Sequence, residues 1–410
     1  MRYIIIIRAI SIILMLHQFQ SFVIASTQDT LTILVNDNSA FAFDLYKELR
    51  NANGNIFFSP YSISSALAMT YAGTRENTEK QMAATLHFSL SQEQLHPTFA
   101  KLAKKLNEIK LKSNIRLSVA NSLWPQQDYK FLTEYMWLLK RHYGVSVSMV
   151  NYKCCWDSTR IKINSWVEEQ TQNKIKDLIK PGILDSLTRL VLVNAIYFLG
   201  DWAKPFNIDH TKVDTFFVSS EKYVFTPMMR QKNRFRYAEL DSFQILELPY
   251  IGNDLSMLIM LPKENDGINS LEISFNSENL KKWETFLTNQ KVIVHLPKFK
   301  ISAQFMLKDK LISMGMVDAF DQFKANFAGM IGIHDSLYIN AVIHKAFIDV
   351  NEKGTEAAAS SAVAVFEPTS VEPPSPIFRV DHPFLVLIRE NHTGSILFLG
   401  KVSDPTEKCQ

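Results

Sequence analysis

Residues 351–367, Asn-Glu-Lys-Gly-Thr-Glu-Ala-Ala-Ala-Ser-Ser-Ala-Val-Ala-Val-Phe-Glu, read as a strand left outside its sheet. After Gly354, the alternating set Thr355, Ala357, Ala359, Ser361, Val363 and Val365 is small or β-branched throughout and uncharged. Side chains of a strand alternate between two faces, so this set makes one buried face if the segment enters a sheet, with Glu356 on the other. The segment then meets Glu-Pro-Thr-Ser-Val-Glu-Pro-Pro-Ser-Pro (367–376), which cannot continue a central strand. About two dozen residues thus lie between Lys353 and Ile377 with no helix pattern and no turn signal. Structureless stretches of that length in compact domains are usually functional.

The rest of the chain divides by hydrophobic period. Phe41, Leu45 and Leu49 recur every fourth residue after Asn38, predicting a helix over 38–49. Ser59-Pro60 predicts a helix start, with proline at the first helical position, and the helix runs through Tyr71 to a stop at Gly73. Phe99, Leu102, Leu106 and Ile109 predict a third helix over 96–112, and 159–179 reads as a fourth. Ile115, Leu117 and Val119 alternate with polar residues, so 115–124 reads as a strand. Leu190 to Phe198 is nearly continuous apolar sequence, as expected of a strand buried on both faces. Short strands follow at 215–218, 243–250, 254–261, 291–296, 345–350, 383–389 and 394–402. Helices early and strands late predict an α+β arrangement.

Four segments carry a family likeness. Glu-Lys-Gly-Thr-Glu-Ala-Ala-Ala (352–359) resembles the proximal hinge of the serpins, the serine-protease inhibitor family. Asn-Ile-Phe-Phe-Ser-Pro-Tyr-Ser-Ile-Ser (55–64) resembles the start of that family's helix B, and Leu-Val-Asn-Ala-Ile-Tyr-Phe-Leu-Gly-Asp-Trp (192–202) its third central strand. Asp-His-Pro-Phe-Leu-Val-Leu-Ile-Arg (381–389) and Thr-Gly-Ser-Ile-Leu-Phe-Leu-Gly-Lys-Val (393–402) resemble its last two strands. The likeness runs from about Asn38 to about Asp404, in the family's order and spacing. It implies three β-sheets, eight to nine helices and an exposed reactive-centre loop over about 353–377, in a single domain covering 26–410.

The resemblance also implies a mechanism. The loop is offered as a substrate, the target serine becomes acylated, and the freed arm enters the main sheet as a new strand with the protease attached. About 14 residues at ~3.3 Å each carry the acyl bond roughly 46 Å. The hinge residues Glu352, Gly354, Thr355, Glu356, Ala357, Ala358 and Ala359 suit this, because none of the inward set is charged or bulky. Ser59, Ser62, Asn194 and His344 match a hydrogen-bonded cluster beneath the central strands that gates their separation. Trp202 and Lys298 match the loop-entry point, where Lys298 faces Glu352. The family's spacing puts the scissile bond after Pro368. Proline lacks an N–H and is a poor specificity residue, so two neighbours stay open. Thr369–Ser370 suits an elastase-like or small-pocket protease, whereas Phe366–Glu367 suits a chymotrypsin-like one with a shorter arm and more escape. Cleavage between Glu367 and Pro368 is disfavoured, because proline follows the bond. No Arg or Lys lies between Gly354 and Phe378, which disfavours trypsin-like and thrombin-like targets. A subtilisin-like target is also compatible, and the alternative reading is a non-inhibitory serpin-fold binding or carrier protein.

Other chemistry is absent from the sequence. There is no Gly-x-Ser-x-Gly elbow, His-Glu-x-x-His or phosphate loop, so neither an enzyme, a metal nor a cofactor is expected. Net charge is +3, or +1 once Arg2 and Arg8 are removed, which disfavours nucleic acid as a partner. Lys101, Lys104, Lys105, Lys110 and Lys112 lie beside Glu93 and Glu108 and read as a solvated face rather than a heparin-like polyanion site. The expected partner is a serine protease, with cysteine proteases as a second class, and the chain is expected to be a monomer. Residues 1–25 read as a secretory signal: Arg2 and Arg8, the apolar run Ala9–Leu16, and Val23-Ile24-Ala25 before cleavage. The expected destination is extracellular, or periplasmic in a bacterium, with no membrane contact after removal of the leader. Asn391-His-Thr is a glycosylation sequon. Cys154, Cys155 and Cys409 make an odd set, read as free thiols ahead of a vicinal bridge or a bridge to Cys409.

Overall fold

The computed structural model describes residues 30–112, 115–333, 337–355 and 374–407. Its helices are α1 (30–49), α2 (Pro60–Tyr71), α3 (Glu76–Thr85), α4 (Gln92–Lys112), α5 (Thr133–Tyr143), α6 (Tyr152–Gln170), α7 (Ile268–Ser274), α8 (Ser277–Glu284), α9 (Lys308–Ser313) and α10 (Ala328–Ile331). Its strands are β1 (Ile56–Phe58), β2 (Arg116–Pro125), β3 (Leu190–Asp201), β4 (Lys212–Phe217), β5 (Tyr223–Glu239), β6 (Phe243–Pro249), β7 (Leu255–Pro262), β8 (Thr288–Pro297), β9 (Phe299–Met306), β10 (Ala341–Asn351), β11 (Gly354–Thr355), β12 (Ile377–Arg379), β13 (Phe384–Glu390) and β14 (Ile396–Val402).

The strands form two sheets, one of five strands in the order β2-β3-β11-β10-β9 and one of nine. Strand β5, 17 residues long, joins the halves of the larger sheet. Its start pairs with β4, its middle with β8 and its end with β6. The three expected sheets are therefore a five-stranded sheet and two regions that share β5.

Strand β3 is buried on both faces, and its alternate residues serve different cores. Leu192, Ile196 and Phe198 enter the main core, which extends through α2 to the larger sheet. Val191, Val193, Ala195, Tyr197 and Leu199 enter a second core beneath α6 and the segment after it, with Ile163, Val167, Ile175 and Ile179. All twelve residues of α2 are buried. Its small Ser and Ala side chains let the helix thread beneath the five-stranded sheet. Ser59 caps it, its side chain accepting the Ser62 N–H, and Pro60 opens the first turn.

Several expected boundaries move. Helix α1 runs on the N-terminal side to residue 30, so Asn38 is a buried mid-helix residue rather than a cap. Helix α6 covers 152–170 instead of 159–179. Asn151 caps its start, and left-handed Gln172 and Asn173 (φ 51° and 59°) turn the chain away after its end. Helices α3 and α5 and strands β5 and β9 have no counterpart in the sequence reading. Between Met228 and Ala238 of β5 the exposed positions are Arg230, Lys232, Arg234 and Arg236, residues that mask a strand pattern because they favour helices equally well. The free-thiol expectation is also corrected, since Cys154 and Cys155 are joined in a disulfide. That bond sits where α6 breaks its helical path, at Cys155 (φ −140°, ψ 38°).

Candidate functional site: the hinge and the polar row beneath it

Beyond Asn351 the chain reverses at Glu352–Lys353 and returns as β11, a two-residue strand held between β3 and β10. Thr355 stands opposite Val350 on one side and Gly200 on the other, and Gly354 opposite Asn351 and Asp201. Thr355 is fully buried, with its hydroxyl 3.3 Å from that of Tyr250. Gly354 has φ +153°, and an added Cβ would lie 2.1 Å from the Gly200 carbonyl oxygen. Glycine is required there both for its backbone and for the approach.

The turn before β11 is fastened at several points. The Trp202 backbone N–H donates to Lys353 O at 2.7 Å, and its indole Nε1–H donates to Asn351 O at 3.1 Å. The indole stacks on Tyr250, with ring centroids 4.7 Å apart. Phe206 N–H donates to Glu352 O at 2.7 Å. The Lys298 ammonium lies 2.9 Å from Glu352 Oε2, and the Thr211 hydroxyl donates to Glu352 Oε1 at 2.9 Å. Burial pushes the Glu352 carboxyl upward, but hydrogen bonds from Lys298, its own backbone and Thr211 outweigh this and hold its pKa below the ordinary value.

Below β11, β3 and β10 close on each other as a parallel pair from Ala341–Val191 to Phe347–Tyr197. One row of this pair is polar. Asn121 on β2, Asn194 on β3 and His344 on β10 stand side by side. Ser59 N–H donates to His344 Nε2 at 3.1 Å. That ring nitrogen therefore carries a lone pair, and Nδ1–H donates to Asn194 Oδ1. The Asn194 amide in turn donates to Ser62 Oγ and Asn121 Oδ1. His344 is wholly buried, and burial pushes its pKa down to about 3, so the ring is neutral.

The structure thus brings Ser59, Ser62, Asn194 and His344 into one network, and Trp202, Lys298 and Glu352 into one turn. Asn121, Tyr250 and Thr211 join these groups without having been picked out in sequence. A lone Asn between Ala120 and Ser122 on a largely buried strand was the available signal for the first of them. Glu356, Ala357, Ala358, Ala359, Phe366, Glu367, Pro368, Thr369 and Ser370 lie outside the described residues. The Asn391 amide of the sequon donates to Asn253 O at 2.7 Å and to Ser256 Oγ at 2.8 Å.

Comparison with known proteins agrees with this geometry. A family model described as "Serpin (serine protease inhibitor)" matches residues 36–405. Human Serpin B3 is 42% identical over 390 residues, covering 90% of this chain and 98% of the relative. Leukocyte elastase inhibitor of Xenopus laevis is 42% identical over 374 residues, covering 89% and 97%. The crystal structure of human thyroxine-binding globulin complexed with its hormone superposes with a TM-score of 0.84 at 34% identity, covering 92% of this chain and all of the other. These relatives overturn the expectation of an extracellular destination, because Serpin B3 and leukocyte elastase inhibitor belong to the intracellular branch of the family. The sequence signal behind that expectation was weak. Arg8 separates Ile4–Ile7 from Ala9–Leu16, and an export signal is read through apolar continuity.

Proposed function

The chain belongs to the serpin family, and from that premise we propose that it traps an elastase-like serine protease by inserting its cleaved loop between β3 and β10. The observation that carries this reading is β11, which already occupies the top of the gap that the arm must fill. Thr355 faces Gly200 and Val350. Continuing that antiparallel register places residues 357, 359, 363 and 365 opposite Phe198, Ile196, Leu192 and Leu190. The first three of these strand residues, and Leu190 with them, line the main core. Ala357, Ala359, Val363 and Val365 then bury apolar surface there, while Glu356 falls on the opposite face.

The same register brings Ser361 opposite both Asn194 and His344, whose shared hydrogen bond must break for the arm to pass. A hydroxyl donates and accepts, so Ser361 can re-satisfy both groups in the inserted state. The polar row resists separation before cleavage and accepts the arm after it. Backbone pairing and apolar burial that are missing in the native state supply the driving force, so the native state is held kinetically. Residues 26–410 act as a single inhibitory unit in this reading, with the loop over about 353–377, Trp202 and Lys298 fastening its entry turn, and no cofactor.

The loop sequence supports Thr369–Ser370 for an elastase-like target and Phe366–Glu367 for a chymotrypsin-like one. Residue 365 is the last to face β3, so either bond would carry the protease past the end of that strand. The test is incubation with pancreatic elastase, subtilisin, chymotrypsin and trypsin, followed by denaturing electrophoresis and mass measurement of the released C-terminal peptide. A complex that survives denaturation with one of the first three, and not with trypsin, is expected. Cleavage by all of them without a complex, and without a rise in thermal stability on cleavage, would favour a carrier on the same fold.

A further inference from the structure

One face of β5 changes character along its length. Thr226 and Met228 are buried, but the next residues of that face, Arg230, Lys232, Arg234 and Arg236, are all exposed. Alternate strand residues lie about 6.8 Å apart, so the four cations span roughly 20 Å in a line. The cross-strand partners on β8 continue the face. Arg230 stands opposite His295, Lys232 opposite Ile293, Arg234 opposite Lys291 and Arg236 opposite Asn289. The parallel neighbour β12 then adds Ile377 beside Ile293 and Arg379 beside His295.

The ends of this strip are neutralised and its middle is not. Arg236 pairs with Glu247 at 2.7 Å, and Arg379 pairs with Asp214 at 2.6 Å and Asp381 at 2.8 Å. Arg230, Lys232 and Arg234 have no carboxylate at ion-pair distance among the described residues. Like charges repeated along a strand weaken it, and these three anchor nothing, while the opposite face of β5 is held by Met229, Phe235 and Tyr237. Burial lowers the His295 pKa first, and Arg379 and Arg230 lower it further against the opposing pull of Asp214 and Asp381.

The position of the strip selects its partner. Strand β12 is the first strand after the loop, and Pro376 O accepts the Ile293 N–H at 2.9 Å. Ile377 lies eight residues after Thr369, a reach of at most about 28 Å. A protease held on the loop is thus brought over this part of the sheet. We infer that Arg230, Lys232 and Arg234 form a docking strip for an acidic surface of the captured protease, adding electrostatic steering to recognition by the loop. This rests on the inhibitory reading above.

The test compares the full chain with R230E/K232E/R234E, using the protease that wild type traps fastest among elastase, subtilisin and chymotrypsin. The control is K101E/K104E/K110E, an equal charge change on exposed residues of α4. Association of the strip variant should fall at least tenfold at low salt, and the difference should shrink as salt rises. The number of inhibitor molecules consumed per protease should stay at the wild-type value, because the loop and hinge are untouched. An unchanged rate, or an equal fall in the α4 control, overturns the inference while leaving the trap intact. An unchanged rate combined with lost retention on a heparin column would reassign the strip to a polyanion and also overturn it. If wild type forms no complex with any of the three, the inhibitory reading falls and this inference falls with it.

Discussion

The Thr355 hydroxyl lies 3.3 Å from the Tyr250 hydroxyl in surroundings closed to water, so the first residue of the inserting face is inside the sheet before any cleavage. The hinge is therefore a seated end from which a strand can grow. Growth requires only that β3 and β10 part below it, residue by residue.

A charge at this seat should turn the inhibitor into a substrate. T355R would have to bury an unpaired guanidinium or leave the sheet, and burial costs several kcal/mol. Each ~1.4 kcal/mol added to the insertion barrier shifts partition tenfold towards release of the protease. We expect cleaved chain to replace the denaturation-resistant complex almost completely on gels. A complex yield equal to wild type would show that Thr355 does not enter first.

Gly354 should tolerate no side chain. A Cβ at this position meets the Gly200 carbonyl oxygen at 2.1 Å and Asp201 Cα at 2.6 Å, both backbone and unable to swing aside. G354A should displace β11, and amide exchange at Gly200–Trp202 should accelerate relative to wild type. Unchanged exchange there would mean that the hinge is held by the turn at Glu352 rather than by its pairing.

Ser361 should matter after cleavage and not before. S361A removes only the hydroxyl, leaving Asn194 and His344 short of partners in the inserted state, at about 1–3 kcal/mol. The uncleaved variant should melt with wild type. The cleaved variant should gain less thermal stability than cleaved wild type. Equal gains would show that water or another group satisfies the row.

His344 should make the native state acid-sensitive. The unfolded imidazole titrates near its ordinary value of 6.5, whereas the folded one is pushed down to about 3. Below pH 6.5 the unfolded state binds the extra proton, so stability present above that pH is lost as pH falls towards 3. The slope approaches ~1.4 kcal/mol per pH unit. Protonation would also destroy the lone pair that accepts Ser59 N–H. H344Q, which does not titrate, should flatten the melting-temperature profile between pH 6.5 and 5. Parallel profiles for the two proteins would assign the sensitivity to other groups.

Some of this molecule was legible residue by residue. The inward set from Thr355 to Val365 is specified by alternation alone, because a face without charge or bulk has few destinations other than a core. The start of α2 is written in Ser59-Pro60, and the double burial of β3 in its unbroken apolar run. Each is a local rule, set by backbone geometry and side-chain period. Motif likeness added the names of the gate residues, although it could not supply their bonds.

Tertiary structure decided the rest, because pairing between distant strands has no local signature. Which row of β10 meets which row of β3 follows from register, and register alone puts His344 beside Asn194 and brings in Asn121. In the sequence the cations of β5 are four charges among many in a nearly neutral chain. Only the fold sets four of them in line on one exposed face, next to the strand where the chain resumes after the loop. The seat of Thr355 was equally hidden. Nothing in Gly-Thr says that two residues already lie between β3 and β10, since that depends on the Gly200 carbonyl oxygen packing where a Cβ of residue 354 would stand and on the Tyr250 hydroxyl lying beside that of Thr355.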